Sequence, residues 1–343
     1  MVYLVMVVGV VADWDADGVV SAAQILYSQE VVGFFPLKSR EKVLLIPSDV
    51  RGVVDITREV VGSGVNFVVF LDIAYSKYVD KALRFLKSRG IGVLYIDHHI
   101  STAIHIESIK PLVNNVVVGK TSTAMLVYNQ LRSVGIDVGE RLKAFIEAVT
   151  AIERGGKKGS VKQIHGKLID IVANLSRILS STRSRDLWVK VVKWLAEPLP
   201  MISIPFTSDI TKFAKPSPEY IKELKAIANE IALSSKKIFT VRFIDIRNSR
   251  YPYKSTAIAS ALHRLLRSPI ILLTKNRRGR ELLIIKSSDT LAYDLGLHLY
   301  RKGVAEDIMG HQTLALILLR KGVEVEKIVD YVREFIINGP AGI

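Results

Sequence analysis

The sequence predicts an α/β protein with an N-terminal, mostly parallel, doubly wound sheet and a smaller C-terminal α/β domain. Three observations lead to this prediction. Short runs rich in Val and Ile alternate with helical patterns in the first half of the chain. A cluster of prolines follows between residues 198 and 218, and a second series of strands and helices lies beyond it. The length of 343 residues also exceeds that of one ordinary domain.

The elements of the first half follow from the spacing of their apolar residues. The clearest buried strands are Val5–Val11, Phe67–Leu71 and Gly92–Ile96. Apolar spacing predicts helices over Ser21–Glu30, Lys77–Arg89 and Thr121–Val134. Because strands and helices alternate, we expect a parallel sheet covered on both faces. Ligands of such sheets bind beyond the carboxyl ends of the strands.

The second half is predicted to contain a linker and a smaller sheet. We expect a catalytic domain at 1–197, a linker with a connecting helix at 198–235, and a basic substrate-binding domain at 236–343. The connecting helix is predicted at Glu219–Ser234, and the following strands at Phe239–Ile246, Ile270–Thr274 and Glu281–Lys286. Residues 275–280 between the last two strands read Lys-Asn-Arg-Arg-Gly-Arg, which indicates a basic hairpin turn.

Positive charge is concentrated in the second part of the chain. Residues 1–150 contain 15 Lys and Arg and 15 Asp and Glu, whereas residues 151–343 contain 33 and 18, so the later part carries the whole net charge of +15. A basic surface confined to one region favours binding of a polyanion such as nucleic acid. A generally basic protein selected for solubility is the alternative interpretation.

Composition narrows the chemistry and the location of the protein. The chain has no Cys, so disulfides and thiolate metal sites are excluded, and His and carboxylates are the strong metal ligands that remain. The apolar residues Met1–Ala12 stop far short of a membrane-spanning helix. We therefore expect a cytoplasmic protein without a membrane partner. Abundant Val, Ile, Lys and Arg without Cys are compatible with a thermophilic source.

Three carboxylates lie within five residues where the first strand leads into a helix. Residues 13–18 read Asp-Trp-Asp-Ala-Asp-Gly, which places Asp13, Asp15 and Asp17 in one turn and Gly18 after them. Their mutual repulsion is costly without a cation. The pattern therefore favours a divalent metal site. A solvated acidic loop that caps the helix is the alternative interpretation.

Two further strand ends carry candidate ligands. Asp72 follows the strand Phe67–Leu71, where it is either a ligand or a helix cap. Asp97, His98 and His99 follow the strand Gly92–Ile96. An acid and two imidazoles at a strand end form a strong ligand set for Mn²⁺ or Zn²⁺. In a parallel sheet, all three strand ends are expected to meet at one edge.

This succession of motifs resembles the DHH phosphoesterase superfamily. The chain has Asp-x-Asp-x-Asp-Gly, then a strand-end Asp, then Asp-His-His, followed by Thr-Ser-Thr-Ala at 121–124. The first motif is most similar to that of the RecJ branch of nucleases. Near the C-terminus, Met309-Gly310-His311 resembles the Gly-Gly-His motif of the DHH-associated domain. The resemblance thus covers most of the chain.

The resemblance implies a site for two Mn²⁺ ions, with Mg²⁺ as the alternative. Asp15, Asp17, Asp72 and His98 match metal-binding positions of the family, and Asp72 matches the ligand that bridges both ions. Glu153 stands nearest to a further family Asp, and Asp170 is the weaker candidate. Many members have a His at the position of Val11, so we expect Asp13 to compensate as a ligand.

The resemblance also implies catalytic and substrate-binding residues. Asp97, His99 and His311 are the catalytic candidates, of which His99 would orient the scissile phosphate or protonate the leaving oxygen. His311 and Gly310 would hold the phosphate from the opposite wall of a cleft between the two domains. The hairpin residues predicted to bind a nucleic acid strand are Lys275, Arg277, Arg278 and Arg280. Met309 replaces a Gly of the family motif, which weakens the prediction for that wall.

Three functions are consistent with the sequence. The first is a RecJ-like exonuclease that hydrolyses single-stranded DNA or RNA by two-metal activation of water. The second is a hydrolase of short oligoribonucleotides or phosphoadenosine phosphate, which would use the same metal ions. The third is a weakly catalytic scaffold that partners a DNA helicase in a replication or repair complex. The retention of most metal-ligand positions favours catalysis over the scaffold.

Overall fold

The computed structural model describes residues 6–154, 163–198, 218–276 and 278–339, so the predicted hairpin residue Arg277 lies outside the described residues. The chain divides into two compact units, Met1–Ala214 and Lys215–Ile343. The division lies within the segment 198–235 that the sequence predicts as a linker. The expected cleft between the two domains stays a prediction.

A five-stranded, all-parallel sheet forms the centre of the first unit, as predicted. Its strands are β1 (Val7–Ala12), β2 (Lys42–Pro47), β3 (Phe67–Leu71), β4 (Gly92–Asp97) and β5 (Asn115–Val118). Their order in the sheet is β2-β1-β3-β4-β5. Because β1 lies between β2 and β3, the chain reverses direction across the sheet at β1 and β3. Ligands bind at such a switch point.

Helices cover both faces of this sheet. In chain order they are α1 (Ala16–Leu26), α2 (Val53–Gly62), α3 (Lys77–Ser88), α4 (Ile100–Ile104), α5 (Ile106–Ile109), α6 (Thr123–Ser133), α7 (Glu140–Glu153), α8 (Gln163–Thr182) and α9 (Arg185–Ala196). A π-helix at Tyr27–Val32 continues α1, and a 3-10 turn at Lys110–Leu112 follows α5. No helix in the described ranges has the length and apolar character needed to cross a bilayer.

The alternation of side chains along the strands builds two separate cores. Val8 and Val10 of β1 pack with α1 and α6 to α9 on one face. Val11 packs with α2 and α3 on the other face. Successive residues of a strand point to opposite faces, so a strand buried on both sides requires a continuous apolar run. This requirement explains the Val-rich sequence of β1.

The structure differs from the predicted elements at the start of the first helix and in two strands of the sheet. The first helix begins at Ala16 rather than Ser21, because Asp15 caps it by accepting hydrogen bonds from the backbone N–H groups of Asp17 and Gly18. Strands β2 and β5 were not predicted. Strand β2 is followed directly by Ser48 and Asp49, so its sequence also shows the pattern of an apolar run ending on an acid.

The second unit contains a mixed six-stranded sheet of order β10-β11-β9-β8-β7-β6. Its strands are β6 (Lys236–Ile238), β7 (Val241–Asp245), β8 (Ile270–Lys275), β9 (Glu281–Lys286), β10 (Ala305–His311) and β11 (Leu314–Leu319). The helices are α10 (Pro218–Ala232), α11 (Ser255–Leu266), α12 (Leu291–Arg301) and α13 (Val325–Asn338). Strands β8 and β9 pair antiparallel, which confirms the predicted strands on either side of the basic hairpin turn.

Candidate active site

The turn between β1 and α1 holds three carboxylates in different roles. Asp15 Oδ1 accepts from the backbone N–H groups of Asp17 at 2.9 Å and Gly18 at 3.2 Å. A Cβ atom at Gly18 would lie 2.4 Å from the carbonyl oxygen of Asp13. Gly18 is therefore required because the start of α1 packs tightly against the backbone of Asp13. The resulting turn holds Asp13 and Asp15 at the carboxyl end of β1.

Asp17 connects this turn to the start of α6. Its two carboxylate oxygens accept from the backbone N–H groups of Thr123 at 2.8 Å and Ala124 at 2.7 Å. Asp17 is buried, and its Oδ2 lies 3.9 Å from Nδ1 of His98. The Thr-Ser-Thr-Ala segment thus has a physical function, which is to supply the helix N–H groups that stabilise a buried carboxylate.

Asp72 lies at the carboxyl end of β3 in an unusual backbone conformation. Its φ of 60° falls in the left-handed region, which costs free energy for a residue other than Gly. The Thr123 hydroxyl donates to its Oδ1 at 3.0 Å, and Nε2 of His98 lies 3.4 Å from the same oxygen. The conformation directs the carboxylate towards the ends of β1 and β4.

His99 is oriented by the acid at the end of β4. Its Nδ1 lies 2.7 Å from Oδ1 of Asp97, which is fully buried. The Thr102 hydroxyl donates to the other oxygen of Asp97 and holds that carboxylate in place. Asp97 therefore fixes the orientation of the His99 ring through Nδ1, which also lies 4.0 Å from Oδ1 of Asp72. Such contacts between a carboxylate and a histidine are common around metal sites.

Two groups of potential ligand atoms meet at Asp72. One consists of Asp13, Asp15 and Asp72, the other of Asp72, His98 and His99, and within each group the ligand atoms lie within 4.8 Å of one another. Asp72 is common to both, as expected of a ligand that bridges two cations. Carboxylate oxygens with imidazole nitrogens suit divalent ions such as Mn²⁺. Among the described residues, Asp17 belongs to neither group.

Burial and the charges of neighbouring acids raise the pKa values of Asp13, Asp17 and Asp72. The pKa of Asp13 is raised to about 7 by burial and by the charge of Asp15. Burial, followed by the charges of neighbouring acids, also raises the pKa of Asp17 and of Asp72 well above the usual range. Without a cation, ionising these carboxylates is unfavourable. A divalent ion would remove that cost, so the residues fit a metal-binding role.

The two histidines differ in charge. Burial and the neighbouring His99 lower the pKa of His98 to about 3, so its ring is neutral and can bind a cation. Burial lowers the pKa of His99, but the charge and hydrogen bond of Asp97 outweigh it and raise the pKa to about 9. His99 is therefore protonated at neutral pH, as a proton donor requires.

Glu153 and Asp170 were the candidates for a further metal ligand. Glu153 is the last residue of α7 and is half-buried, and its charge raises the pKa values of Asp17 and His99. Asp170 is exposed on α8. The electrostatic effects of Glu153 indicate that its carboxylate lies near the acidic turn. Its role as a ligand stays a prediction.

A pocket of about 520 Å³ opens beside the two groups of ligand atoms. It is lined by Asp13, Asp72 and His99 and also by residues that the sequence analysis missed, namely Asp49, Arg51 and Arg183. The position of Asp49 after β2 could have been predicted from its apolar run, since β2 lies next to β1. No sequence signal marks Arg183, which follows α8 far along the chain.

In the second unit, the predicted substrate-binding residues lie at two hairpins. Gly310 has a φ of 123°, and a Cβ atom there would lie 2.1 Å from the Leu314 carbonyl oxygen, so the β10–β11 hairpin requires glycine. The half-buried His311 ends β10. At the other hairpin, Lys275 and Arg278 are exposed. Arg280 instead forms an ion pair with Glu306 of β10.

Comparisons with known proteins identify the fold. No family model and no curated protein matches the sequence. A solved DHH-domain structure, described as a member of a family of ribosomal proteins, is 15% identical with a TM-score of 0.58, covering 98% of this chain and 88% of its own. RecJ from Thermus thermophilus in complex with Mn²⁺ is 13% identical with a TM-score of 0.54, covering 99% of this chain.

An exopolyphosphatase-related protein from Bacteroides fragilis is also similar, with 12% identity and a TM-score of 0.50 over 97% of this chain and 92% of its own. The present chain spans about half of the Thermus RecJ chain, 53% of its length. These similarities show that the protein has the fold of DHH-domain and RecJ structures, as its sequence motifs predict.

Proposed function

We propose that the protein is a metal-dependent phosphodiesterase that hydrolyses single-stranded DNA or RNA in the manner of a RecJ-like exonuclease. The observation that carries the proposal is the pair of ligand groups that share Asp72 at the switch point of the parallel sheet. Such a pair suits the binding of two divalent ions around one phosphate. The Mn²⁺ complex of the structurally similar RecJ supports this assignment.

Mn²⁺ is the proposed cofactor, with Mg²⁺ as the alternative. Asp13, Asp15 and Asp72 would hold one ion, and Asp72 with His98 would hold the other, while His99 would stay outside the ligand set as the proton donor. When bound, the ions would neutralise charge on the phosphate oxygens and lower the pKa of a water nucleophile. Asp17 would support these ligands from the side of α6, and Glu153 from the side of α7. Asp17 matches a metal-binding position of the superfamily, and Glu153 stands nearest to another.

The chain's own residues would orient the substrate and transfer a proton. His99, held by Asp97 and protonated at neutral pH, would donate a proton to the oxygen that leaves phosphorus. Lys275 and Arg278 would bind the backbone of a longer strand, because their exposed charges match its phosphates. Gly310 and His311 are proposed to contact a substrate phosphate. A helicase in a replication or repair complex is a further proposed partner.

One observation favours a second candidate, a hydrolase of short oligonucleotides or phosphoadenosine phosphate. Arg280 is paired with Glu306, and Arg247 is paired with both Asp245 and Glu281. These pairs reduce the number of arginines free to bind a long strand. The first function requires length-dependent affinity, whereas the second does not.

Parallel digestion of three substrates with Mn²⁺ tests the proposal. End-labelled single-stranded DNA, single-stranded RNA and a dinucleotide are incubated with the protein, with and without EDTA. The proposal expects metal-dependent hydrolysis that is faster on a long strand. Preferential cleavage of the dinucleotide would favour the second candidate. Absence of hydrolysis on all three substrates would contradict both and favour the scaffold.

A further inference from the structure

We propose that Arg183 binds a second phosphate of the substrate, next to the scissile one, so that the preferred substrate carries at least two phosphate groups. This inference rests on the proposed function, because the scissile phosphate is placed at the candidate metal site. It assigns a role to a residue outside the motifs that the sequence shares with the DHH superfamily.

The location of Arg183 supports this role. Its side chain lines the same pocket as Asp13, Asp72 and His99, which belong to the two groups of potential metal ligands. A pocket of about 520 Å³ lies within the range of about 300–1,000 Å³ that is common for small-molecule sites. A substrate with its scissile phosphate at Asp72 can therefore extend towards Arg183 within one cavity.

Asp49 holds the guanidinium in position. Nη1 of Arg183 donates to Oδ2 of Asp49 at 2.7 Å. Burial raises the pKa of Asp49, but backbone donation from Gly52 and the bond from Arg183 outweigh it and lower that pKa, so the carboxylate stays ionised. Since a guanidinium has five N–H donors in a planar fork, one bond to Asp49 leaves Nε and Nη2 able to bind a phosphate in a bidentate manner.

The exposure of Arg183 also favours a ligand-binding role. Its φ of 48° places it in the left-handed region at the turn between α8 and α9, where glycine would be less strained. Its side chain is 58% exposed, so an ion pair with Asp49 contributes little to stability. The left-handed φ belongs to the end of α8, where the Arg183 N–H donates to the Leu179 carbonyl oxygen at 3.0 Å. The exposed guanidinium is available to an incoming anion.

Arg185 provides a matched control two residues away. It is also exposed and paired with a carboxylate, Glu59 of α2, at 2.7 Å, but it is not among the residues that line the pocket. Arg183→Gln and Arg185→Gln therefore remove the same charge from neighbouring positions. Thermal unfolding of both variants checks that each remains folded.

The test compares three thymidine dinucleotides in Mn²⁺, one without a terminal phosphate, one with a 5′ phosphate and one with a 3′ phosphate. We expect the wild type to have a higher kcat/KM for one of the phosphorylated forms. Arg183→Gln should reduce that advantage about tenfold or more, chiefly through KM, because a charge-assisted hydrogen bond is lost. Arg185→Gln should keep the advantage. An equal loss on all three dinucleotides, or no loss, would overturn the inference.

A binding measurement separates this inference from the proposed function. Calorimetry in Mn²⁺ compares thymidine 3′,5′-bisphosphate with thymidine 5′-monophosphate and needs no turnover. We expect Arg183→Gln to weaken binding of the bisphosphate more than binding of the monophosphate, even if the wild type hydrolyses no dinucleotide. Equal affinity of the wild type and Arg183→Gln for the bisphosphate would rule out the second phosphate site. If the wild type binds the bisphosphate selectively but hydrolyses no dinucleotide, only the proposed hydrolase function is refuted.

Discussion

The acidic cluster of the first unit (Asp13, Asp15, Asp17 and Asp72) and the basic hairpin of the second (residues 275–280) both gather like charges, but their surroundings differ. Asp17 and Asp72 are buried, and burial raises their pKa values. Lys275 and Arg278 are exposed, and Arg280 is neutralised by Glu306. In the acidic cluster the carboxylates can ionise together only at a cost in free energy, whereas the hairpin charges are stabilised by solvent and by ion pairing.

The difference in burial determines where a ligand is needed. Buried like charges are unfavourable unless a counterion binds, so the acidic cluster indicates a cation site. Exposed like charges on a turn are stable without any ligand. The hairpin therefore indicates nucleic acid binding less strongly than its sequence suggests.

Asp72→Ala is expected to abolish Mn²⁺-dependent hydrolysis, because both groups of ligand atoms include this residue. The variant should remain folded, and without metal it should unfold at the same or a higher temperature, since one of several repelling acids is removed. Activity assays and thermal unfolding in EDTA measure the two effects. Asp55→Ala, an exposed acid on α2, is the control. Full activity of Asp72→Ala would exclude the two-metal site.

Asp97→Asn is expected to lower kcat roughly 10–100-fold, as is typical when the partner of a ligand or catalytic His is changed. The pKa of His99 should fall because its carboxylate partner is lost. The alkaline limb of the kcat profile should then move to lower pH. Asp80→Asn, which alters a surface pair with Arg84, is the control. An unshifted limb would show that His99 does not donate the proton.

Glu153→Gln is expected to weaken Mn²⁺ binding more than Asp170→Asn does. Glu153 lies close enough to affect the pKa values of Asp17 and His99, whereas Asp170 is exposed on α8. Calorimetric titration of both variants with Mn²⁺ makes the comparison. Equal or reversed effects would show that the fourth family motif has been matched to the wrong residue.

Replacing the basic hairpin residues distinguishes side chains that bind phosphates of the strand from one that is already paired with a carboxylate. Alanine at Lys275, Arg277, Arg278 and Arg280 should lower the slope of log affinity against log salt by roughly 0.7 for each phosphate of a single strand that the protein no longer neutralises. Arg280→Ala alone should leave the slope unchanged because Glu306 already holds this guanidinium. Dinucleotide turnover should be nearly unaffected. An unchanged slope in the quadruple variant would exclude the hairpin from strand binding.

The stability of the metal-free protein is expected to fall as pH rises from 6.5 to 9. Folded His99 has a pKa of about 9, above its unfolded value of 6.5, so the folded state binds more protons in this window. Its contribution is complete below pH 6.5 and is lost as pH passes 9, at up to about 1.4 kcal/mol per pH unit. Urea unfolding in EDTA should show a shallower decrease for His99→Gln. Parallel curves for both proteins would contradict this assignment.

Much of the first unit could be predicted from short stretches of sequence. Asp13, Asp72 and Asp97 were located at the ends of apolar runs, because a buried parallel strand must be apolar on both faces and its carboxyl end opens to ligands. In the second unit, the strands on either side of the basic hairpin were predicted from equally short stretches of sequence. The start of α1 was predicted too late because the capping role of Asp15 depends on the backbone conformation of the turn.

The amino-acid sequence by itself determined which residues could bind a cation, since the absence of Cys and the spacing of the acidic motifs are properties of the chain alone. The packing of the folded chain determines how those residues are used. The strand order places the ends of β1 and β3 side by side, and Asp17 is directed to α6 by bonds that span 106 and 107 positions. Arg183 likewise meets Asp49 across 134 positions. Such contacts depend on how whole helices and strands pack, which no local pattern of side chains specifies.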